Sequence, residues 1–131
     1  MMKERYIDID GHWGVILVYG FDETDAARLA AIMDSFGMDD GKIDYSLSVL
    51  YGLNSGMTIS REDLTMSVIF LGDATSQEQF FDTLAHEIDH VQYAINHFYD
   101  IAEGGEDAAW LQGYIMRRAT KWLLKDGYIC G

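Results

Sequence analysis

The sequence has no proline and a single cysteine in 131 residues. Because proline interrupts helices more strongly than any other residue, no helix proposed below is broken by one. Cys130 has no second cysteine with which to form an internal disulfide, so the sequence carries no signature of an oxidising compartment. We interpret Cys130 as an incidental thiol.

Positive charge is also scarce, with nine Lys and Arg residues against 22 Asp and Glu residues and a formal net charge of −13. Nucleic acids and anionic membrane surfaces would repel such a chain because their phosphates carry the same sign of charge. We therefore expect no nucleic-acid partner and no membrane partner. A basic partner or a polar peptide substrate is compatible with this charge.

Long apolar runs are missing, although 49% of the residues are hydrophobic. No stretch approaches the roughly 18 apolar residues of a membrane span. Residues 1–8 lack the apolar run of a signal peptide. We expect a soluble, cytoplasmic protein whose residues 1–131 form one compact domain, and nothing in the sequence indicates its oligomeric state.

The stretch Thr83–His90 (TLAHEIDH) carries the strongest functional signal. In a helix it places His86 and His90 on one face, one turn apart, which suits two ligands of a single Zn²⁺. Glu87 lies about 100° around the helix from His86, outside that coordination sphere but within reach of a water held by the metal. Such a carboxylate can take the proton from that water as it attacks a carbonyl. We therefore interpret His86 and His90 as zinc ligands and Glu87 as the general base.

The motif lies in a helix that we predict at residues 76–98. Ser76 is a typical N-cap residue, and Gln79 three positions later completes a capping box. Two histidines on a helix are also compatible with surface residues or satisfied core residues, but the apolar flank of this helix favours a metal site. The apolar residues that recur at helical spacing are Phe80, Leu84, Ile88, Val91 and Ile95.

The whole pattern predicts an α+β domain with a small, largely antiparallel sheet and three helices, and with the HExxH motif on the second long helix. A turn at Asp10-Gly11 joins the first two strands into a hairpin. The second strand is apolar on both faces, as expected of a central strand. We expect a polar loop at residues 38–42. Strands are predicted at residues 4–9, 13–19, 45–53, 57–60 and 65–71, and helices at residues 26–36, 76–98 and 106–125.

A catalytic zinc usually has three protein ligands and one water, so a third ligand is required. His97 lies about 10 Å beyond His90 along the helix axis, which is too far for it to share the ion. The metzincin pattern has its third histidine ten residues after the first, where this sequence has Asn96. The other candidates after the motif are Asp100, Glu103, Glu106 and Asp107.

We favour Glu106 as the third ligand, with Glu103 second and Asp107 third. Glu106 opens the last helix directly after a pair of glycines, and Ala109 and Gly113 on its face are small. A face of small residues lets two helix backbones approach closely, which a carboxylate needs if it is to reach a metal held by a neighbouring helix. The alternative role of Glu106 is to stabilise the N-terminus of its own helix, worth about 0.3–1 kcal/mol.

The run His86-Glu87-Ile88-Asp89-His90, followed by Glu106 on a second helix, resembles the gluzincin branch of zincin-like zinc metallopeptidases. Residues 72–113, about a third of the chain, are similar to small zincin-like proteins of gut Bacteroidetes and their phages, and only the HExxH part is specific. The resemblance implies a minimal zincin-like fold, zinc bound by His86, His90 and Glu106, and Glu87 as the general base. Trp110 departs from the thermolysin-like pattern, in which an Asp that orients a zinc-bound histidine stands four residues after the glutamate.

These observations predict a zinc-dependent metallohydrolase, most simply a peptidase with a peptide or protein substrate. In a zincin, a strand beside the motif helix offers its edge to an extended substrate, and the sequence does not decide which strand this is. The alternative is a non-catalytic zincin-fold binding or regulatory protein with a structural metal. A chain of 131 residues keeps this alternative open because it leaves little material for a second wall around a substrate.

Overall fold

The computed structural model describes residues 1–129, and Cys130, interpreted above as an incidental thiol, lies outside the described residues. Within that range the chain forms four strands, four α-helices and two short 3-10 turns. The strands are β1 (Lys3–Ile9), β2 (Trp13–Tyr19), β3 (Gly56–Arg61) and β4 (Met66–Leu71). The helices are α1 (Ala26–Ser35), α2 (Asp40–Leu50), α3 (Gln77–Tyr99) and α4 (Glu106–Lys125).

The four strands form one mixed sheet in the order β1-β2-β4-β3. β1 pairs antiparallel with β2, and β3 pairs antiparallel with β4, whereas β2 and β4 run parallel. The predicted α+β class and the central position of β2 are confirmed. The prediction of a largely antiparallel sheet holds only for the two outer pairings, and residues 1–129 contain four helices where three were expected.

The additional helix, α2, occupies a predicted loop and most of a predicted strand. Residues 38–42, expected to form a polar loop, contain its start, where the Asp39 side chain accepts a hydrogen bond from the Lys42 backbone N–H and caps the helix. Residues 45–53, expected to form a strand, are helical as far as Leu50 because the apolar positions have a helical period. The buried residues of α2 are Ile43, Ser46 and Leu50.

The sheet separates two apolar cores because successive side chains of each strand point to opposite faces. On one face, Leu17 and Ile69 pack in a core with residues of α3 and α4. On the other face, Val18 and Phe70 pack in a core with residues of α1 and α2. The fold therefore has three layers, with a pair of helices on each side of the sheet.

The two long helices lie where they were predicted. α3 begins after Ser76, whose hydroxyl accepts a hydrogen bond from the Gln79 backbone N–H as expected for one half of a capping box. α4 packs against α3 and β1. No helix within residues 1–129 is both long enough and apolar enough to cross a membrane.

An ion pair ties the end of α4 to β1. The Arg5 guanidinium donates two hydrogen bonds to the Asp126 carboxylate, at 2.9 and 2.6 Å, and the Tyr19 hydroxyl also donates to this carboxylate. The Asp126 side chain is 6% exposed. The hydrogen bonds from Arg5 lower the pKa of Asp126 to about 2, against the desolvation that would raise it.

This pKa predicts how the stability of the fold depends on pH. Because the folded-state pKa of Asp126 is about 2 and the usual value for Asp is about 3.9, the stability from its ionised form is present above pH of about 4 and is lost as the pH falls through about 2. We expect Asp126→Asn to lower the free energy of unfolding by about 1–2 kcal/mol at neutral pH. Urea unfolding of both proteins across this range measures the difference, which should shrink below pH of about 4.

Asp44→Asn is the matched control for this measurement, because Asp44 is exposed on α2 on the other side of the sheet. It makes the same charge change without touching Arg5. If the two variants lose stability equally, or if the loss in Asp126→Asn persists unchanged towards pH of about 2, the ion pair does not have the role that we assign to it.

Candidate metal and catalytic site

The two motif histidines lie on the exposed side of α3 and approach each other through their Nε2 atoms. These atoms are 3.2 Å apart, and the ring centroids of His86 and His90 are 4.8 Å apart with an interplanar angle of 79°. The His86 side chain is 68% exposed. Because the two residues are four positions apart in one helix, the helix itself brings them together.

This separation fits two ligands of one zinc ion. Two nitrogens at about 2.0–2.1 Å from a tetrahedral zinc lie roughly 3.3–3.4 Å from each other. The observed distance between the His86 and His90 Nε2 atoms is 3.2 Å. The same distance also suits an N–H···N hydrogen bond in which one ring donates and the other accepts. Metal content distinguishes the two arrangements.

Glu87 belongs to α3, and its side chain lies between α3 and β3. The residue is 5% exposed. The Thr58 hydroxyl donates a hydrogen bond to Glu87 Oε1 at 2.9 Å, and Glu87 Oε2 lies 4.0 Å from His86 Nε2. Gly56 leaves room for this carboxylate, because a Cβ at that position would lie 2.9 Å from Glu87 Cγ and 2.7 Å from Thr83 Cγ2. β3 thus holds one carboxylate oxygen while the other lies near the histidine pair.

A groove of about 450 Å³ lies beside these residues, between α3 and β3. β3 is an edge strand, since within residues 1–129 it pairs only with β4. Ile59 of β3 packs into the core with α1 and α2, on the opposite face of the sheet. Gly56, Thr58 and Ser60 of β3 line the groove together with His86 and His90.

Tyr93, one turn after the motif, also lines the groove. Its ring stacks with that of His97 at a centroid distance of 6.4 Å. His97 Nδ1 lies 2.8 Å from Glu62 Oε1, so this imidazole is engaged away from the histidine pair. Of these two aromatic residues, Tyr93 is therefore the one placed to contact a molecule in the groove.

Among the residues that the structure describes, no third ligand is assembled with the histidine pair. Within residues 1–129, no group of three or more His, Cys, Asp or Glu side chains is arranged to hold a metal ion. Glu106 is exposed at the first residue of α4, and Ala109 and Gly113 on its face are exposed as well. The close helix approach expected along this face therefore does not occur. α4 buries a different face, made of Ala108, Leu111, Ile115, Ala119 and Leu123.

The two alternative ligands lie on different sides of the start of α4. Glu103 lines a cavity of about 430 Å³ together with Asp89 and Tyr93. Because Tyr93 also lines the groove, this cavity adjoins the groove. Asp107 lines an aromatic pocket instead, beside the turn between β1 and β2.

The contribution of β3 is what the sequence analysis missed. Gly56, Thr58 and Ser60 alternate with Met57 and Ile59, and this alternation indicates a strand with one small or polar face. The partner of that face is set by tertiary packing, since Thr58 and Glu87 are 29 positions apart in the chain.

No protein-family model matches this chain, and neither a curated protein nor a solved structure matches it significantly. The assignment of a function therefore depends on the residues of the groove and on their geometry.

Proposed function

We propose that this protein is a zinc-dependent metallohydrolase with a minimal zincin-like fold, and that it acts as a peptidase. His86 and His90 bind the zinc and Glu87 is the general base. The observation that carries the proposal is the placement of two imidazole Nε2 atoms 3.2 Å apart, with a buried carboxylate oxygen 4.0 Å from one of them. The resemblance of the motif to that of gluzincins supports the same assignment.

The chain's own residues supply the proton transfers of this reaction. Zinc, when bound, lowers the pKa of a water and polarises a carbonyl. Glu87 accepts the proton of the attacking water through the oxygen near His86, while Thr58 holds the other oxygen. Glu87 then passes this proton to the leaving amine. We assign to Tyr93, which lines the groove, a hydrogen bond to the developing oxyanion.

An extended peptide is the substrate that the edge strand supports best. The free edge of β3 offers backbone N–H and C=O groups, and a peptide can add to such an edge as a further strand. The groove beside Thr58 and Glu87 lies along this strand. A net charge of −13 favours peptides that carry basic side chains over acidic ones.

Metal analysis of the purified full chain tests the proposal. We expect about one zinc per chain after equilibration with zinc, and its loss in His86→Ala and His90→Ala because each removes a ligand. Glu87→Gln should retain the metal, since Glu87 lies outside the coordination sphere. A wild-type chain that takes up no zinc would show that the 3.2 Å contact is a hydrogen bond between imidazoles.

The third ligand is identified by the same measurement on Glu106→Ala, Glu103→Ala and Asp107→Ala. We keep Glu106 as the proposed ligand from the motif and include Glu103 because its cavity adjoins the groove. The variant that lacks the true third ligand should show the largest loss of zinc affinity. Unchanged affinity in all three variants would mean that solvent completes the coordination of the ion.

The alternative function is a non-catalytic binding or regulatory protein that holds a structural metal. Its support is the openness of the groove, since the His86 side chain is 68% exposed, whereas a substrate site usually encloses most of its ligand. Stoichiometric zinc without cleavage of any member of a peptide library would favour this alternative.

A further inference from the structure

A second pocket lies at the other end of α3, away from the HExxH motif. It has a volume of about 500 Å³ and is formed by the turn between β1 and β2, the C-terminal end of α3 and the first two turns of α4. This volume lies within the range of small-molecule sites, about 300–1,000 Å³. None of the residues that form it is Lys or Arg.

Aromatic rings make up much of its wall. Trp13 lies almost fully buried at 2% exposure, whereas Trp110 is 54% exposed and Tyr99 is 40% exposed. The polar atoms of Trp13 and Tyr99 are already hydrogen-bonded within the protein. The Trp13 indole N–H donates to the Ser67 hydroxyl, and the Tyr99 hydroxyl donates to the His12 carbonyl oxygen. Trp13 and Tyr99 therefore present ring surface to the pocket rather than free hydrogen-bond donors.

Among the described residues, the Trp110 ring has no cation beside it, whereas the Trp122 ring already has two. One side of its ring stacks with Tyr114 at a centroid distance of 5.0 Å. Trp122 already has the Arg5 guanidinium 4.6 Å and the Lys125 ammonium 5.2 Å from its ring centroid. Within residues 1–129, Trp110 has no such cationic neighbour.

Two carboxylates complete the pocket. Asp10 belongs to the turn after β1, and Asp107 is the second residue of α4. Neither side chain has a hydrogen-bond or ion-pair partner among the described residues. The pocket thus combines aromatic surface with two unpaired negative charges and no positive one.

We propose that this pocket binds a small organic cation through a quaternary ammonium group. Such a group has no hydrogen to donate, so it is recognised by aromatic faces and by nearby negative charge. Trp110 and Tyr99 supply the aromatic faces, and Asp10 and Asp107 supply the charge. An anion would meet two carboxylates, and a ligand that accepts hydrogen bonds would find the donors of Trp13 and Tyr99 occupied. This site does not depend on the histidine pair or on the proposed hydrolase activity.

The test compares choline with its neutral isostere 3,3-dimethyl-1-butanol, both titrated into the full chain and followed by backbone amide NMR. We expect choline to bind at least about tenfold more tightly, because only the charged head gains the cation–π attraction. The amide shifts should cluster at residues 9–13, 95–101 and 107–111. Equal affinities for the two molecules would overturn the proposal, and so would choline shifts confined to other parts of the chain.

Variants separate the aromatic contribution from the charge. We expect Trp110→Ala to weaken choline binding by about tenfold or more and Trp110→Phe to retain much of it. The double variant Asp10→Asn/Asp107→Asn should also weaken it. Asp40→Asn/Asp44→Asn on α2 is the matched control, because it removes the same charge from the opposite side of the sheet. If the control weakens choline binding as much, the attraction comes from the net charge of the protein and the pocket is not a site.

Discussion

Glu87→Gln is expected to lower kcat/KM for the proposed peptide hydrolysis by about 10²–10⁴-fold, because it removes the carboxylate that we propose as the general base. The substitution is nearly isosteric, and its amide oxygen can still accept the hydrogen bond that the Thr58 hydroxyl gives to Glu87. The zinc content should stay at the wild-type level. A mass-spectrometric readout of a peptide library, with equal zinc in both proteins, measures the change.

Asp82→Asn is the control for this experiment, because Asp82 lies five positions before Glu87 on α3, is exposed and lines neither the groove nor the cavity of Glu103. It changes the charge of α3 by the same amount without touching the carboxylate beside His86. We expect activity within a few-fold of wild type. If wild type and Glu87→Gln cleave the library equally, Glu87 is not the general base. The non-catalytic protein with a structural metal would then be the remaining function.

Gly56→Ala is expected to damage both the fold and the groove. The added methyl group would lie 2.7 Å from Thr83 Cγ2 and 2.9 Å from Glu87 Cγ, both on a helix that cannot move away without disturbing its core packing. Overpacking of this kind costs about 1–3 kcal/mol of unfolding free energy. A displacement of Glu87 by about 1 Å would lower activity by about 10²-fold. Urea unfolding and library cleavage measure the two effects.

Gly113→Ala is the matched glycine control. A Cβ at Gly113 would meet nothing within 4 Å, and the residue lies inside α4. Because alanine has a higher helix propensity than glycine, we expect this variant to be about 0.5–1 kcal/mol more stable than wild type and equally active. A Gly56→Ala protein that is as stable and as active as Gly113→Ala would contradict the close contact between β3 and Glu87.

The helices predicted best were those whose sequences show both apolar residues at helical spacing and a signal for where the helix begins. α3 has apolar residues at helical spacing after Ser76, and α4 starts after two glycines. α2 was missed because the run from Tyr45 to Leu53 is short and apolar enough to suit a strand, and because Asp39 was interpreted as a loop residue rather than as an N-cap. The N-cap residue of α2 could be recognised in the sequence, but the residues that α2 buries could not.

The candidate site divides in the same way. His86, Glu87 and His90 belong to one turn of helix, so their relative placement follows from helix geometry and could be predicted. Thr58 and Gly56 reach Glu87 from a strand, and no local pattern indicates that contact. The expectation for Glu106 used a helix face that turned out to be exposed, because the small residues of that face do not decide which side of α4 is buried.

The parallel pairing at the centre of the sheet has a consequence for how the protein folds. Each antiparallel hairpin can close from neighbouring segments, whereas Gly14 of β2 pairs with Met66 of β4 across a stretch of chain that contains two helices and a strand. Contacts between distant segments carry a larger loop-closure entropy and slow folding. Glu87 and Thr58 both lie in the segment from β3 to α3, on one side of that junction, so we expect their contact to form independently of this long loop closure.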